Sequence, residues 1–255
     1  EAKALGIHAT GDIWCLTAGA EALHKDPALA EAVVRDIQGK PIVVPWLKDQ
    51  VFEGTPAWWG CTSHPAFRAH VRAKLREALA SGPAGLHVDD PLGGTAESSW
   101  AGGCFCSSCM EAFRNWLQAH DSPSLRVRAG VASWEGFDYA VLLRSRGAVT
   151  LALFKQGMAD HPLRREFLDW QIEAAAGHFK ELADLSLEIL GSGRTLSANA
   201  YYDRLGSDSL VLAPRWYDEE PVTHTWTPRC ASTSPFTSKP ASPRCWASSM
   251  NTASS

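Results

Sequence analysis

The sequence has no apolar run that approaches the roughly 18 to 20 residues needed to span a bilayer. Its first residues, EAKALGIHATGD, lack the basic and apolar blocks of a signal peptide. It also has no Lys/Arg-rich run, the electrostatic footprint of a nucleic-acid-binding protein. We therefore expect a soluble domain with neither a membrane nor nucleic acid as a partner. Because the first residue is Glu1, removal of a leader stays open, and a cytoplasmic location is favoured only slightly over a secreted one.

Several catalytic motifs are missing as well. The sequence contains no Gly-x-Gly-x-x-Gly after a strand, no Walker-type loop, no Gly-x-Ser-x-Gly elbow and no His-Glu-x-x-His. These absences weigh against dinucleotide chemistry, phosphoryl transfer, serine hydrolysis and zinc proteolysis. What is present is a chain of 255 residues, 45% apolar and with a formal charge of −4, which suits one large globular domain with a substantial core.

Short apolar runs alternate with amphipathic patterns over the first 214 residues. The predicted strands are residues 4–10, 195–202 and 209–214, together with the apolar start of segment 84–94, which stops at Asp89 and Asp90 before a Pro-Gly-Gly turn. Residues 41–47 are an edge strand or a loop because they carry two prolines. The predicted helices are residues 26–40, 63–82, 107–119, 137–158 and 163–190. This alternation is typical of a parallel α/β fold. We predict a TIM-type (β/α)8 barrel, incomplete in this chain, because four or five strands are found where closure needs eight.

The composition changes abruptly near the end of that region. In residues 221–255, Ser, Thr and Pro supply 19 of 35 positions and neither Asp nor Glu occurs. Such a segment buries too little apolar surface to offset its ordering entropy. We therefore divide the chain into a barrel portion, residues 1–214, and a low-complexity tail, residues 215–255, that is disordered or out of frame.

Three of the seven cysteines lie within six positions, in the run CFCSSC at Cys104, Cys106 and Cys109. A tetrahedral zinc site takes four thiolate or imidazole ligands, and closely spaced cysteines before a helix supply most of them. Cys61 is the best candidate for the fourth ligand, because it also precedes a helix, and Cys15 is the alternative. A four-thiolate shell leaves no position for water, so the zinc would be structural. A thiol or disulfide cluster in an oxidising compartment remains the competing interpretation.

Three stretches together carry a resemblance to a known family: WWGCTSHPAFR, GLHVDDPLGG and GCFCSSCMEAFRNWL. They resemble the glycoside hydrolase family 42 β-galactosidases, which are TIM-barrel enzymes. The similarity is good over roughly residues 55–120 and weaker to about residue 202. It implies that Cys61, Cys104, Cys106 and Cys109 bind a structural zinc. It also implies a carbohydrate substrate and hydrolysis of O-glycosidic bonds by two carboxylates, and it allows a homo-oligomer.

The sequence departs from the family pattern at the acid/base position. Where the family has Asn-Glu, this chain has Asp90 followed by Pro91. The catalytic acid would then be Asp90 or Asp89 in a divergent enzyme. Otherwise the chain is a non-catalytic carbohydrate-binding barrel or an inactive, truncated glycosidase fragment. For contact with the sugar we predict the following residues: His87, Trp58, Trp59, Asn199 and Tyr201.

Overall fold

The computed structural model of the chain describes residues 5–6, 9–89 and 102–191, together with two later strands at residues 195–200 and 222–226. In those two strands only the backbone and the Ser197 side chain are described. The predicted site residues Asp90 and Tyr201 and the predicted strand at 209–214 lie outside the described residues.

Six strands and eight α-helices make up the described part. The strands are β1 (Thr10–Trp14), β2 (Val51–Phe52), β3 (Thr55–Pro56), β4 (Gly85–Asp89), β5 (Thr195–Ala200) and β6 (Val222–Trp226). The helices are α1 (Ala20–Lys25), α2 (Pro27–Glu31), α3 (Pro65–Leu79), α4 (Ser107–Ala119), α5 (Pro123–Ala129), α6 (Tyr139–Ser145), α7 (Leu151–Gln156) and α8 (Arg164–Leu190). Two short 3-10 helices add Pro45–Leu47 and Met158–Asp160.

The main sheet has the strand order β1-β4-β5-β6. Strands β1, β4 and β5 run parallel, and β6 pairs antiparallel with β5. The connection from β1 to β4 includes α3, and the one from β4 to β5 includes α4 to α8, as expected for parallel neighbours. Four of the six described strands form this row, and β2 and β3 pair in a separate two-stranded sheet, so closure into an eight-stranded barrel stays a prediction.

Three helices were well predicted from the sequence. The amphipathic patterns at 63–82 and 163–190 correspond to α3 and α8, and α4 has the predicted bounds. The region 137–158 contains two short helices, α6 and α7, separated by a break at Gly147. The cap of α3 is His64, whose Nδ1 accepts from the backbone N–H of Ala66 at 3.2 Å.

The predictions near the N-terminus were less accurate. The first strand is Thr10–Trp14, whereas residues 4–10 were predicted. The helix predicted over 26–40 ends at Glu31, because the next residues pair with a distant segment: the backbone N–H of Val34 donates to the carbonyl of Trp59 at 2.8 Å. Tertiary pairing of this kind overrides the weak helical propensity of β-branched residues. Strand β6 falls inside the segment where no strand was predicted.

One face of the main sheet forms a core with α3 and α8. Ile13, Leu86 and Val88 lie on this face. They pack in one buried cluster with Phe67 and Leu75 of α3 and with Leu182 of α8. Side chains alternate between faces along a strand. The intervening residues of β1 and β4 therefore lie on the opposite face.

A second core is aromatic and lies among the helices that follow β4. Phe113 of α4, Tyr139 of α6 and Phe167 of α8 contact one another, with ring centroids 4.9 to 5.3 Å apart. Phe105, which precedes α4, stacks on Phe167 at 5.4 Å. Contacts of this geometry add to the stabilisation from burial. Among the residues described, none of the helices combines the length and apolar character needed to cross a membrane.

We expect His178→Leu to make the protein less sensitive to acid. His178 is 1% exposed in α8, and burial, aided by Arg68 and Arg72, lowers its pKa from 6.5 to about 4, although Glu181 opposes this. Below pH 6.5 the unfolded chain therefore binds a proton that the folded chain excludes. The wild-type protein should lose on the order of 3 kcal/mol of unfolding free energy through this residue as the pH falls from 7 to 4.5.

Urea unfolding at pH 7 and at pH 4.5 measures this loss. His120→Leu is the matched control, because His120 is exposed. The difference between the two pH values should shrink in the His178 variant and not in the control; equal acid sensitivity of all three proteins would rule the assignment out.

Candidate metal centre and the polar face of the sheet

Four buried cysteines converge on one point. The Sγ atom of Cys61 lies 3.5 Å from that of Cys106, 3.4 Å from that of Cys109 and 3.8 Å from that of Cys104. All four sulphur atoms lie within 4.8 Å of one another. A tetrahedral ion with metal–sulphur bonds of about 2.3 Å would separate its ligands by about 3.8 Å. The four cysteines thus form a cluster that could bind a metal ion.

The sulphur atoms of this cysteine cluster are too far apart for disulfide bonds, which need about 2.05 Å. The five cysteines in the described part of the chain form no disulfide bond with one another. Cys15, the alternative fourth ligand, lies outside the cysteine cluster. It is buried in the sheet core near Ile13, and its backbone N–H donates to the carbonyl of Asp89 at 3.1 Å.

Backbone hydrogen bonds hold Cys61 just beyond the end of β1. The N–H of Gly60 donates to the carbonyl of Leu16 at 2.7 Å, and the N–H of Cys61 donates to that of Ala32 at 2.9 Å. The carbonyl of Cys61 then accepts from His64, the cap of α3. Cys61 is therefore fixed between the carboxyl end of β1 and the start of α3.

The other three cysteines of the cluster lie just before or within the first turn of α4. Cys106 is its N-cap and Cys109 lies in its first turn. The preceding segment approaches α7 and α8 so closely that only glycine fits. A Cβ atom on Gly102 would lie 2.0 Å from the Phe154 ring, and one on Gly103 would lie 2.6 Å from the Phe167 ring. Both glycines also have positive φ, which disfavours other residues.

The thiols of the cysteine cluster influence one another's ionisation. Hydrogen bonds from Cys104, Cys109 and Cys61 lower the pKa of Cys106 far below its ordinary value. Burial raises the pKa of Cys104, and hydrogen bonds to its neighbours raise that of Cys109. A metal ion bound by all four thiols would displace their protons.

The face of the sheet opposite the helices is polar. Asp12 of β1 aligns with His87 of β4, which aligns with Ser197 of β5. The Nδ1 atom of His87 and the Ser197 hydroxyl form a hydrogen bond of 2.9 Å. One step further along, Trp14 aligns with Asp89, and its indole N–H donates to the Asp89 carboxylate. Trp14 is nevertheless 46% exposed.

The predicted sugar-contacting residues have different environments. His87 and Asp89 are half-buried on the polar face. Asn199 lies in β5, two positions after Ser197. Trp58 is half-buried and packs against the small cluster that contains Leu23. Trp59 is 1% exposed and its ring meets Trp46 edge-on at 5.3 Å, so it presents no face to a sugar.

Asp12 and Trp14 were missed by the sequence analysis. Both stand on the polar face of β1, where they flank the buried Ile13. The alternation in TGDIW, with polar, apolar and aromatic residues in turn, was the available signal. It was overlooked because the strand was placed too early, at residues 4–10.

The cysteine cluster and the polar face lie at the same end of the sheet. Asp89 is the last residue of β4 and Trp14 the last of β1, and the Gly60–Leu16 hydrogen bond anchors the Cys61 segment just beyond Trp14. Ligand sites in parallel α/β folds lie at the carboxyl ends of strands. Comparisons with protein-family models, with curated proteins and with solved structures find no match to this chain.

We expect Cys61→Ser and Cys106→Ser to lose bound metal. Wild-type protein purified without chelator should contain one metal ion per chain, because all four thiols can reach one ion. Cys15→Ser is the matched control, since Cys15 is equally buried but lies outside the cysteine cluster. Elemental mass spectrometry and thiol titration measure metal and free thiols; a wild-type protein without metal, or a Cys15 variant that loses it, would contradict the assignment.

We expect Gly102→Ala to be more destabilising than Gly136→Ala. The two glycines have similar positive φ values, 78° and 67°, so the backbone cost of a side chain is matched, at about 1 to 2 kcal/mol. A Cβ on Gly136 has open space, whereas one on Gly102 overlaps the Phe154 ring. Denaturant unfolding and metal content measure the difference; equal losses of stability would show that the close approach is unimportant.

Proposed function

We propose that the chain is a zinc-stabilised, carbohydrate-active β/α domain, and that its activity is glycoside hydrolysis. The observation that carries this proposal is the polar face with its exposed Trp14 and its carboxylates Asp12 and Asp89, near the cysteine cluster. The stretches that resemble the family 42 β-galactosidases contain both the four cysteines and the end of β4 with Asp89.

Zinc is the metal that best suits the cysteine cluster. Four sulphur ligands select zinc, copper(I) or iron–sulphur chemistry, and a single tetrahedral four-thiolate site is typical of structural zinc. Cys61 comes from the segment after β1, and Cys104, Cys106 and Cys109 come from the segment after β4. A bound zinc would therefore join the two segments and stabilise the rim of the polar face.

Trp14 and Asp89 have the chemistry of a sugar subsite. An indole face stacks on the apolar face of a pyranose ring, and a carboxylate accepts hydrogen bonds from its hydroxyls. The hydrogen bond between the two side chains fixes the orientation of the indole. His87 adds a titratable group beside Asp89 on the same face of β4.

Asp12 supplies a second carboxylate on the same face as Asp89. The two residues are one strand and two positions apart, which separates their α-carbons by about 8 Å, given strand spacing of about 4.8 Å and a rise of about 3.3 Å per residue. Glycosidases place their two carboxyl groups about 5 Å apart when they retain the anomeric configuration, and about 6.5 to 9.5 Å apart when they invert it. Because both side chains lie on the same face of the sheet, an α-carbon separation of this size leaves room for two carboxyl groups at such distances.

A non-catalytic carbohydrate-binding domain is the second candidate. It is favoured by the indole N–H that occupies an oxygen of Asp89, and by Pro91 at the position where the related family has its acid/base. A carboxylate that serves mainly to orient a tryptophan would contribute to binding and not to bond cleavage.

We expect Asp89→Asn and Asp12→Asn to lower kcat/KM for nitrophenyl glycosides by about 10²- to 10⁴-fold, the usual contribution of general acid–base groups. Nitrophenol release by the zinc-loaded protein measures hydrolysis, and quenching of tryptophan fluorescence measures sugar binding. Asp184→Asn is the control, because Asp184 is an exposed residue of α8 that pairs with Lys180. Trp14→Ala should weaken binding under either proposal.

The outcomes separate the two candidates. Hydrolysis that collapses in the Asp12 and Asp89 variants supports an enzyme. Binding by the wild type without hydrolysis, retained in the Asp89 variant and lost in the Trp14 variant, supports a binding domain. A zinc-loaded wild type that neither hydrolyses nor binds any glycoside of the panel would overturn both.

A further inference from the structure

A buried arginine lies beside the segment that carries the cysteines. Arg164 is 3% exposed, and its guanidinium donates to the carbonyl of Gly102, two residues before Cys104. The guanidinium also lies over the rings of Phe154 and Phe167, 5.7 and 5.8 Å from their centroids. Arg164 therefore contacts the backbone that leads into the cysteine cluster and the aromatic rings that pack around it.

The positive charge of Arg164 has no anionic partner in the part of the chain that the structure describes. No carboxylate forms an ion pair with it, and its Nε and second Nη atoms are buried without hydrogen-bond partners there. Burial lowers the pKa of Arg164 to about 10, so it stays a cation at neutral pH. A buried charge without an anionic partner is strongly destabilising.

The position of Arg164 in its helix adds to this cost. It is the first residue of α8, where the helix dipole disfavours a cation. The carbonyl of Gly102 and the two aromatic rings offset only part of the desolvation. Some further negative charge nearby would explain why a cation is kept at this position.

A loaded cysteine cluster would supply that negative charge. Four thiolates and one divalent ion sum to a net charge of −2. The cysteine cluster and Arg164 share one aromatic core: Phe105, between Cys104 and Cys106, stacks on Phe167 and meets Phe154 edge-on at 5.3 Å. Charges in such a core are poorly screened, so they interact over longer distances than at the surface.

We infer that Arg164 is a positioning and charge-balancing residue for the four-thiolate metal centre. It fixes the Gly102 carbonyl, and thereby the approach of Cys104, and its charge offsets the negative charge of the loaded site. This inference rests on the proposed metal centre. Hydrogen bonds and charges outside the ligand set commonly change metal affinity by about 10- to 100-fold.

The test compares the full chain with Arg164→Met, Arg164→Lys and Arg165→Met. Arg165 is the matched control, because it is the next residue of α8, is 65% exposed and pairs with Asp169. Competition with a chromophoric chelator measures zinc affinity. We expect Arg164→Met to weaken binding by about 10- to 100-fold, Arg164→Lys to weaken it less, and Arg165→Met to leave it unchanged.

A second readout separates charge from packing. In the iron-loaded protein, removal of a nearby positive charge favours the oxidised ion, so the reduction potential should fall in Arg164→Met and change little in Arg164→Lys. If the Met variant folds poorly, the Lys variant still tests the inference. It keeps the positive charge but loses the planar guanidinium, so its zinc affinity should fall while its reduction potential changes little. An unchanged potential and affinity in both Arg164 variants would overturn the inference. Absence of metal from the wild type would instead overturn the proposed metal centre.

Discussion

The close approach of four buried sulphur atoms constrains everything around it. Burial raises the pKa of Cys104, and hydrogen bonds among the thiols raise the pKa of Cys109 and lower that of Cys106. Because neighbouring thiolates repel one another in a buried core, a bound divalent cation would be needed to hold all four as thiolates. Since the four cysteines come from segments that follow two different strands, metal binding would be coupled to the packing of both segments.

The two cores of the described chain are joined by α8. Phe167 and Trp170, near the start of this helix, belong to the aromatic core around the cysteine cluster, whereas Leu182 belongs to the core beneath the sheet. Gly60 forms a second link, because it precedes Cys61 and packs against the Phe67 ring of the sheet core. Helix α8 and the Gly60–Phe67 contact therefore connect the surroundings of the cysteine cluster with the core beneath the sheet.

The sequence was most informative where local patterns and tertiary structure agree. Helix α4 and the convergence of Cys104, Cys106 and Cys109 followed from spacing, since both depend on residues that are near neighbours in the chain. The partner Cys61, some forty residues away, was the best candidate because it too precedes a helix, and the family resemblance implied the same residue. Predictions from local patterns were wrong where contacts between distant segments determine the structure. The predicted helix ends early because Val34 pairs with Trp59. The Trp59 ring is buried and packs against Trp46. Trp14 was missed because one misplaced strand boundary hides its alignment with Asp89.

The location of the cysteine cluster is consistent with a role in shaping a ligand site. In parallel sheets, the segments that follow the carboxyl ends of the strands line the site, and they have few regular hydrogen bonds to hold them. In this chain the segment after β1 runs to α3, and the segment after β4 contains five helices before β5. A metal bound by the cysteine cluster would fix these segments relative to β1 and β4. The proposed ligand-binding residues Trp14 and Asp89, at the ends of those strands, would then have a rigid rim beside them, although neither residue is a metal ligand.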